Sequence, residues 1–537
     1  MKSYDKCPDI IIKNGRVIDG TGTPAFFADV AVIGDKIDYV GNLDGVEAKQ
    51  IIDAAGKYVT PGFIDEHSHS DSTIWANPEA QSTIRQGITT EIVGHCGLSE
   101  SPMSQEVRDH VTVGLISTPE KSPIGGFSDA FAAIEKMGIS ENMAWLVGHN
   151  TLRHLAGLYG SEYTEEQFQI MEKLLRKALE DGCVGFSTGL EFEPGRQATS
   201  EEVNRLVSVL KEYDGVYTSH IRNRDSNVLE SIQEFVETVR KTHVRGVLSH
   251  FNIRSNTGAP ENAWWRGNKM MHAAREEGLD ILSDMTPLEF GIGQMQAILP
   301  AWAMEGGWEE TCRILSDPEK RKLLRTDCDR YWRFITRGEW NRVRMQSSPN
   351  FPEIIGMTFP EIAKLWEKDE WDCFFDILAA AKDQMPSCIM LGHLFPEQMI
   401  IDAITDPMFM MAVDGFTTKT DGDLTEKTAM PLHYMGMMYF FAHYVRDLKV
   451  MSLETAVSKV TSMPANFYRL KGRGQIHEGF FADINVFALE ELAIHSTFDN
   501  PCVYSEGMSY VLVNGVPVIA NGEHTHQRPG RNLLRDC

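Results

Sequence analysis

The chain has 537 residues, a hydrophobic fraction of 42% and a formal net charge of −25. This length exceeds one ordinary core and predicts a large domain with a smaller one. The acidity argues against nucleic acid or an anionic membrane as partner, because both need a basic face. No apolar run is long enough to span a bilayer and the first residues lack a signal peptide's apolar segment, so we expect a cytoplasmic protein.

Both ends of the chain have the pattern of short strands joined by tight turns. Asn14-Gly15 lies between two apolar runs, which is a strong hairpin signal. The C-terminal runs Ala482–Phe487 and Tyr510–Ile519 have the same character. We therefore predict one small β-sandwich domain from residues 1–60 and 475–537, with the chain leaving it near residue 60 and returning near 475.

Between the two ends, apolar runs alternate with helical stretches, as is typical of parallel βα units. Eight of these runs end in polar residues, which are, in chain order, His67 with His69, His95 with Cys96, His149, Glu191, His220, His250, Asp284 and Asp414. The pattern predicts an α/β fold, a (β/α)8 TIM barrel over residues 61–474 whose functional site lies at the C-terminal ends of the strands. The long segment before the eighth strand predicts an inserted subdomain or lid within about 287–400.

His67 and His69 follow a buried strand and share one face of it, because side chains on a strand alternate. Two imidazoles at one strand end can bind a divalent metal, and Asp65 lies just upstream on the same face. One His-x-His is weak evidence in a chain with 17 histidines. Histidines at four strand ends together with Asp414 at the eighth predict a metal centre, because a barrel brings these ends together.

Several motifs resemble the amidohydrolase superfamily, and within it the N-acyl-D-amino-acid deacylases, or D-aminoacylases. The similarity runs nearly end to end and is carried by Pro61–Asp65, Gln86–Thr90, Gly94–Gly97, Leu146–Arg153, Gly185–Leu190, Leu299–Ala303, Val413–Gly415, Gly522–Thr525 and Arg528–Arg531. The resemblance implies two neighbouring metal positions, one held by His67, His69 and Asp414 and the other by Cys96, His220 and His250. Cys96 is similar to the ligand that this branch uses where other members have a carboxylated lysine. We expect one or two divalent ions, with zinc as the default and manganese or iron as alternatives.

This ligand set predicts a metal-dependent hydrolase. Metal-bound hydroxide, formed because the ion lowers the pKa of water toward ~7, would attack a substrate carbonyl. Asp414 would act as general base and then acid, passing the proton to the leaving group. His149 would help to stabilise the oxyanion, with a purely structural role as the equal alternative.

Three positions that bind the substrate carboxylate in the deacylases are altered here. Asn252 stands where the family commonly has a lysine, Met285–Phe290 replaces a Tyr-Pro-Tyr-Thr-like run, and Leu432 stands where we place an arginine. A closed site without these cations should not favour a classical N-acyl-D-amino acid, because an unpaired carboxylate is expensive to bury. The candidate substrate contacts are Arg222, Asn252, Met285, Phe290 and Leu432. For Arg222, as for Arg224 and Arg254, a structural ion pair is the alternative.

The predicted substrate is a small molecule with an amide or cyclic-amide bond. One alternative is a cyclohydrolase that breaks a C–C bond and opens a cyclic diketone, such as dihydrophloroglucinol-like compounds. A second alternative, from another class, is a non-catalytic amidohydrolase-like binding protein. We expect no nucleic acid and no membrane partner, and homo-oligomerisation stays open.

Overall fold

The computed structural model of the protein describes residues 6–110, 120–304, 306–327 and 332–535. Within these ranges no helix is both long enough and apolar enough to cross a bilayer. Seven short strands, β1 to β7, lie near the N-terminus at Ile10–Lys13, Arg16–Val17, Phe26–Phe27, Asp29–Ile33, Lys36–Gly41, Gln50–Asp53 and Tyr58–Pro61. Four of them form one sheet in the order β5-β4-β1-β6.

The next seven strands, β8 to β14, begin the central sheet and lie at Phe63–Ser68, Ile88–Val93, Asn142–Gly148, Gly185–Gly189, Val216–His220, Arg245–Leu248 and Ile281–Met285. Each pairs in parallel with its neighbour along the chain, and Phe409–Met411, the eighth strand, pairs with β14. A parallel bridge between Ser68 and Gly415 joins the first strand to the segment after the eighth and nearly closes the barrel. The predicted (β/α)8 barrel is confirmed.

Strands β15 to β17 lie in the insertion before the eighth barrel strand, at Phe290–Gln294, Val343–Ser347 and Ile389–His393. They form an antiparallel sheet in the order β15-β17-β16, which the sequence analysis did not predict. Arg342 hydrogen-bonds Ser255 in the loop after β13, and Gln346 donates to the carbonyl of Ala429 in the loop after the eighth strand. The insertion therefore packs against loops at the C-terminal ends of the barrel strands.

The eighth barrel strand is β18, and β19 to β22 follow it at Ile484–Phe487, Met508–Val513, Val516–Ala520 and Glu523–His524. Strand β19 pairs with β7, with Ile484 opposite Pro61, so both chain ends contribute to one seven-stranded sheet. Residues from both ends, including Ile12, Val30 and Leu512, form a hydrophobic core separate from that of the barrel. The predicted β-sandwich from both ends is confirmed, while its numerical boundaries stay a prediction.

Helices connect the barrel strands and fill the insertion. In chain order, α1 to α17 are Gln81–Ile84, Gln105–His110, Phe127–Met137, His149–Leu155, Glu165–Asp181, Ser200–Val209, Val228–Thr242, Ala263–Glu276, Gly307–Ser316, Pro318–Asp327, Phe359–Trp366, Glu370–Ala381, Glu397–Thr405, Asp423–Lys427, Pro431–Tyr439, Leu453–Lys459 and Ser462–Phe467. The helices between barrel strands are amphipathic, as in α5, where Phe168, Leu175 and Leu179 are buried while the first turn carries two glutamates.

Candidate metal centre

His67 and His69 project from the end of β8, where the first strand meets the segment that closes the barrel. The backbone N–H of Asp414 donates to the carbonyl of His67, and the N–H of His69 donates to the carbonyl of Gly415, both at 2.9 Å. These backbone hydrogen bonds position the Asp414 side chain beside the two histidines. Its Oδ1 lies 3.4 Å from Nε2 of His67 and 3.3 Å from Nε2 of His69.

Cys96 lies between three histidines. Its Sγ is 3.4 Å from Nε2 of His67, 3.5 Å from Nδ1 of His220 and 3.4 Å from Nε2 of His250. Three histidines, from the ends of the first, fifth and sixth strands, thus direct a ring nitrogen toward the Cys96 sulfur, which follows the second strand. Cys96 belongs to both groups of possible metal ligands, His67–His69–Cys96–Asp414 and Cys96–His220–His250. The structure therefore adds Cys96 to the first position predicted from the sequence.

Within each of the two groups, the separations between donor atoms fit one shared ion. Ligands bound to tetrahedral zinc at about 2.0–2.3 Å lie about 3.3–3.6 Å apart from one another. The observed distances of 3.3 to 3.5 Å fall in this range. Three of the donors, Cys96, His250 and Asp414, also have positive φ angles of 54°, 34° and 57°. Left-handed backbone at residues other than glycine costs about 1–3 kcal/mol each, and such strain concentrates at functional sites.

The electrostatics of the group favour a cation. Burial disfavours the thiolate of Cys96, but the neighbouring His67, His250 and His220 lower its pKa well below the usual value. Burial likewise opposes charge on His69, but Asp414 and Cys96 raise its pKa to about 9. Burial opposes ionisation of Asp414, and its histidine neighbours nevertheless hold its pKa below the usual value. A thiolate and a carboxylate that attract protons onto imidazoles also attract a divalent ion.

His220 has a carboxylate partner behind it. Its Nε2 lies 2.9 Å from Oε2 of Glu191, which follows the fourth strand. Arg254 donates to both oxygens of Glu191 at 2.8 and 2.7 Å, and also to Asp225 at 3.0 Å. Burial disfavours the charge on Glu191, but Arg254, His220 and Arg224 lower its pKa well below the usual value. The sequence marked Glu191 as a strand-end residue without giving it this role.

The outer nitrogen of His250 faces an arginine instead of a carboxylate. Its Nδ1 faces Nη1 of Arg224 at 3.2 Å, and the same Nη1 donates to Oδ1 of Asn252 at 2.8 Å. Burial, followed by Arg224 and His220, lowers the pKa of His250. A guanidinium nitrogen only donates, so Nδ1 of His250 is the acceptor in this contact.

Aspartates on both sides of His67 complete the surroundings of the centre. Oδ2 of Asp284, on β14, lies 3.5 Å from Nδ1 of His67, and Oδ1 accepts from the backbone N–H of His250 at 2.7 Å. Asp65 accepts from the backbone of Val413 at 2.9 Å and of His67 at 3.3 Å. Asp65 therefore ties the first strand to the closing segment instead of entering either ligand group.

His149 does not join the ligand groups. It begins α4, is fully buried, and its Nε2 lies 2.8 Å from Oε1 of Glu202. Arg153 also binds Glu202 at 2.6 Å. The ring of His149 packs edge-on against that of Phe186, with centroids 5.7 Å apart. The described contacts give His149 a structural environment, and its catalytic role stays a prediction without support from them.

Of the five predicted substrate contacts, Asn252 accepts from Arg224, and the other four fall into three environments. Arg222 binds Glu234 at 2.9 and 3.0 Å and donates to the carbonyls of residues 196 and 198, so it serves a structural ion pair. Met285 at the end of β14 and Leu432 in α15 are both buried. Phe290 starts β15 in the insertion and packs on Phe498, which lies between β19 and β20, with ring centroids 4.1 Å apart.

Two aromatic residues beside the ligands were not predicted. The ring of Phe192 lies 4.4 Å from that of His220, and the ring of Phe416 lies 5.7 Å from that of His69. Both follow barrel strands at their C-terminal ends, in the fourth and eighth positions. The one signal in the sequence was their position just after a strand end. A single phenylalanine in a loop has no reactive or ligating group that would mark it as a site residue.

Comparison with known proteins now defines the class. The model of the Amidohydrolase family matches residues 50–318 and 418–519. The chain is 30% identical to an N-acyl-D-glutamate deacylase of Alcaligenes xylosoxydans xylosoxydans over 98% of this chain and 97% of that protein. The fold and the site are those of a metal-dependent hydrolase. The chain belongs to the Amidohydrolase family.

Two solved structures agree with this assignment. One is an N-acyl-D-glutamate deacylase from Bordetella bronchiseptica in complex with zinc and a phosphonate inhibitor, with a TM-score of 0.82, 28% identity, and coverage of 99% of this chain and 100% of that one. The other is a D-aminoacylase with a binuclear metal centre, with a TM-score of 0.81, 28% identity, and coverage of 98% and 100%. The predicted resemblance to the D-aminoacylase branch is confirmed.

Proposed function

We propose that this amidohydrolase cleaves the C–N bond of a compact, uncharged amide or cyclic amide at a zinc centre held by His67, His69, Cys96, His220, His250 and Asp414. The observation that carries the proposal is the convergence of these donors from five strand ends, with Asp414 at 3.3 and 3.4 Å from two of the imidazoles. When bound, the ion supplies an activated water and a Lewis acid for the substrate carbonyl. The thiolate and imidazole donors, and the zinc named for the Bordetella relative, support zinc at one or two positions.

Asp414 is the proton carrier in this proposal. Its Oδ1 faces both imidazoles, which leaves Oδ2 to accept a proton from the attacking water and pass it to the leaving nitrogen. The lowered pKa keeps this carboxylate ionised at neutral pH, as a general base requires. The Asp414 side chain is 28% exposed, whereas His67 is fully buried, so the carboxylate is the ligand that a substrate can approach.

The charge near the site supports an uncharged substrate. Arg222 is committed to Glu234, and Arg254 is committed to Glu191 and Asp225. Arg224 contacts Asn252 and His250. Two positions after His250, where the deacylases commonly have a lysine, this chain has Asn252, whose amide oxygen already accepts from Arg224. A substrate carboxylate would have to draw one of these arginines from its present partner.

The related deacylases provide the competing assignment, because the names of two of them specify N-acyl-D-glutamate and N-acyl-D-aspartate. Opening of a cyclic 1,3-diketone is the second alternative. There water adds to one ketone, the adjacent C–C bond breaks, and the enolate of the other ketone takes up the proton to give a keto acid. That reaction would use the same metal ligands and the same proton transfer by Asp414. Its substrate also carries no carboxylate, so the site would need no cation to bind one.

A substrate panel separates the three assignments. The zinc-loaded enzyme would be assayed on a cyclic amide such as dihydrouracil, on cyclohexane-1,3-dione, and on N-acetyl-D-glutamate and N-acetyl-D-methionine, with Asp414→Asn as the inactive control. We expect the cyclic amide to give the highest kcat/KM. Efficient release of a free D-amino acid would refute the argument from committed arginines, and turnover of the diketone alone would replace C–N by C–C hydrolysis. Cytoplasmic location stays a prediction, and self-association stays open.

A further inference from the structure

A buried histidine beside the metal centre, His433, belongs to neither ligand group found in the described part of the chain. It lies in the first turn of α15, directly after Leu432, which stands where we place the arginine of the deacylases. The charges of Asp414 and His69 both act on its ring. We infer that the Nε2–H of His433 binds a second, uncharged carbonyl oxygen of the substrate, an inference that rests on the proposed function.

A hydrogen bond at the other ring nitrogen determines where His433 carries its proton. The backbone N–H of Phe416 donates to Nδ1 of His433 at 3.2 Å. A backbone N–H only donates, so Nδ1 holds a lone pair and the proton lies on Nε2. Burial also lowers the pKa of His433 to about 3, although the charge of Asp414 opposes this shift. The ring is therefore a neutral hydrogen-bond donor at neutral pH.

Close packing holds the ring of His433 in one orientation. Nδ1 lies 3.0 Å from the point where a Cβ on Gly415 would sit, so a side chain there would crowd the imidazole. The ring of Phe416 packs edge-on against it with centroids 5.1 Å apart, and the carbonyl of His433 accepts from the side-chain amide of Gln86 at 3.0 Å. Because Gly415 and Phe416 directly follow Asp414, one short segment positions both the metal ligand and the donor.

The Nε2 atom of His433 is left for a ligand. It makes no hydrogen bond to any residue in the described ranges, and it is not sealed from solvent either, since His433 keeps 4% of its surface exposed. Residues 431–438 of α15 are all buried, so the opening that reaches Nε2 is an internal cleft. The partly exposed carboxylate of Asp414, whose charge acts on His433, lies beside this cleft. A substrate bound at the metal centre can therefore reach Nε2.

A ring with two carbonyl groups fits this pair of polar features. The metal centre would polarise the carbonyl at the bond to be cleaved, and His433 would bind the second, unreactive one. A neutral donor satisfies an uncharged oxygen without burying an unpaired ion. This agrees with the commitment of Arg222 and Arg254 to protein carboxylates. The substrate class is thus a cyclic imide or a related dicarbonyl ring, in preference to a lactam with one carbonyl.

A thermodynamic cycle with two ligands that differ by one oxygen tests the contact. Glutarimide has two carbonyls and 2-piperidone has one, and both are uncharged six-membered rings. Calorimetry would give their dissociation constants on zinc-loaded Asp414→Asn, which prevents turnover, with and without His433→Asn. Asparagine can still accept from the N–H of Phe416 but has no donor at the position of Nε2. We expect Asp414→Asn to bind glutarimide about tenfold more tightly than 2-piperidone, and His433→Asn to remove this preference.

The matched control is His154→Asn in the same background. His154 is a half-buried histidine in the last turn of α4 whose ring packs against that of Tyr159, and its loss should leave the preference for glutarimide intact. A preference that survives His433→Asn, or that is absent while His433 is in place, would overturn the inference, as would failure of both compounds to bind.

Hydrolysis of dihydrouracil by the zinc-loaded wild type separates this inference from the proposed function. A preference for glutarimide without hydrolysis of any cyclic amide would refute the proposed function and leave the role of His433 standing. Hydrolysis without the preference would refute the role of His433 and leave the proposed function standing.

Discussion

The carboxylate of Glu191 lies 2.9 Å from Nε2 of His220, on the side of the ring opposite Cys96. A carboxylate accepts, so this bond keeps the proton on Nε2 and the lone pair on Nδ1, which faces the Cys96 sulfur. The arrangement holds His220 in the tautomer and orientation of a metal ligand. His250, on another side of the same sulfur, has a hydrogen-bond donor as its outer partner instead of an acceptor. Arg224 donates to its Nδ1, which favours a proton on Nε2, the nitrogen that must bind the ion.

The Glu191→Gln variant should bind metal more weakly at the Cys96–His220–His250 position. The amide has no charge to support His220 as a donor, and losses of outer partners of this kind typically reduce metal affinity by about 10–100-fold. Zinc affinity would be measured by competition with a chromogenic chelator. Glu234→Gln is the control, because it removes a comparable carboxylate, paired with Arg222, that touches no ligand. Equal affinity of both variants would contradict the assigned role of Glu191.

The Arg224→Gln variant should bind metal more tightly at the same position. A glutamine carbonyl can accept from Nδ1–H of His250, so the tautomer with its lone pair on Nε2 becomes the favoured one. We expect a gain of about tenfold, at the lower end of the range for outer-partner effects. The same competition assay would measure it. If affinity falls or stays constant, Arg224 does not oppose metal binding, and the donor contact to His250 has no energetic consequence.

Asp414→Asn should abolish most turnover while leaving metal at Cys96. Asparagine tolerates the left-handed backbone at this position, where φ is 57°, so the change removes the proton carrier without disturbing the chain. General acid–base catalysis contributes about 10²–10⁴-fold, and kcat should fall by at least this factor. Metal analysis alongside kcat would show whether the Cys96 position stays filled. Near-normal kcat would mean that another group carries the proton.

Lys459 should make stability depend on pH in the alkaline range. Burial lowers its pKa to about 8 from an ordinary 10.5, although it donates to the carbonyls of Asp406 and Phe409. Between these values the unfolded chain binds more protons than the folded chain, so the free energy of unfolding contributed by Lys459 rises with pH. The gain is about 3 kcal/mol between pH 8 and 10.5.

The measurement is urea unfolding of wild type and Lys459→Met from pH 7 to pH 10.5. The difference in unfolding free energy should shift in favour of the wild type as the pH rises, since methionine does not titrate. Lys211→Met, at an exposed position, is the control and should follow the wild-type profile. A constant difference between wild type and Lys459→Met would show that the lysine keeps its ordinary pKa in the folded protein.

The eight barrel strands could be predicted because each is a short buried run that ends in a polar residue. Residues 63–68 and 216–220, for example, are buried throughout; the first strand has His67 next to its last residue, and the second ends at His220. The same rule placed Cys96 and Asp414 at strand ends, where ligands in this fold lie, and the resemblance to the amidohydrolase superfamily implied that both bind metal. The sheet of the insertion was not predicted, because its strands pair over distances of up to about a hundred residues and have no regular alternation by which to recognise them.

The sequence by itself determined which polar side chains stand at strand ends and that a closed parallel barrel would bring them together, because strand period and strand-end chemistry are local properties of the chain. The resemblance of its motifs to the amidohydrolase superfamily then implied which of these side chains bind an ion. The tertiary structure alone decided what stands behind each ligand: Glu191 behind His220, Arg224 behind His250, and Glu202 instead of the metal centre beside His149. These contacts depend on how loops and helices that are distant in the sequence pack against one another. The direction and charge of a hydrogen-bond partner follow from that packing, which no local pattern encodes.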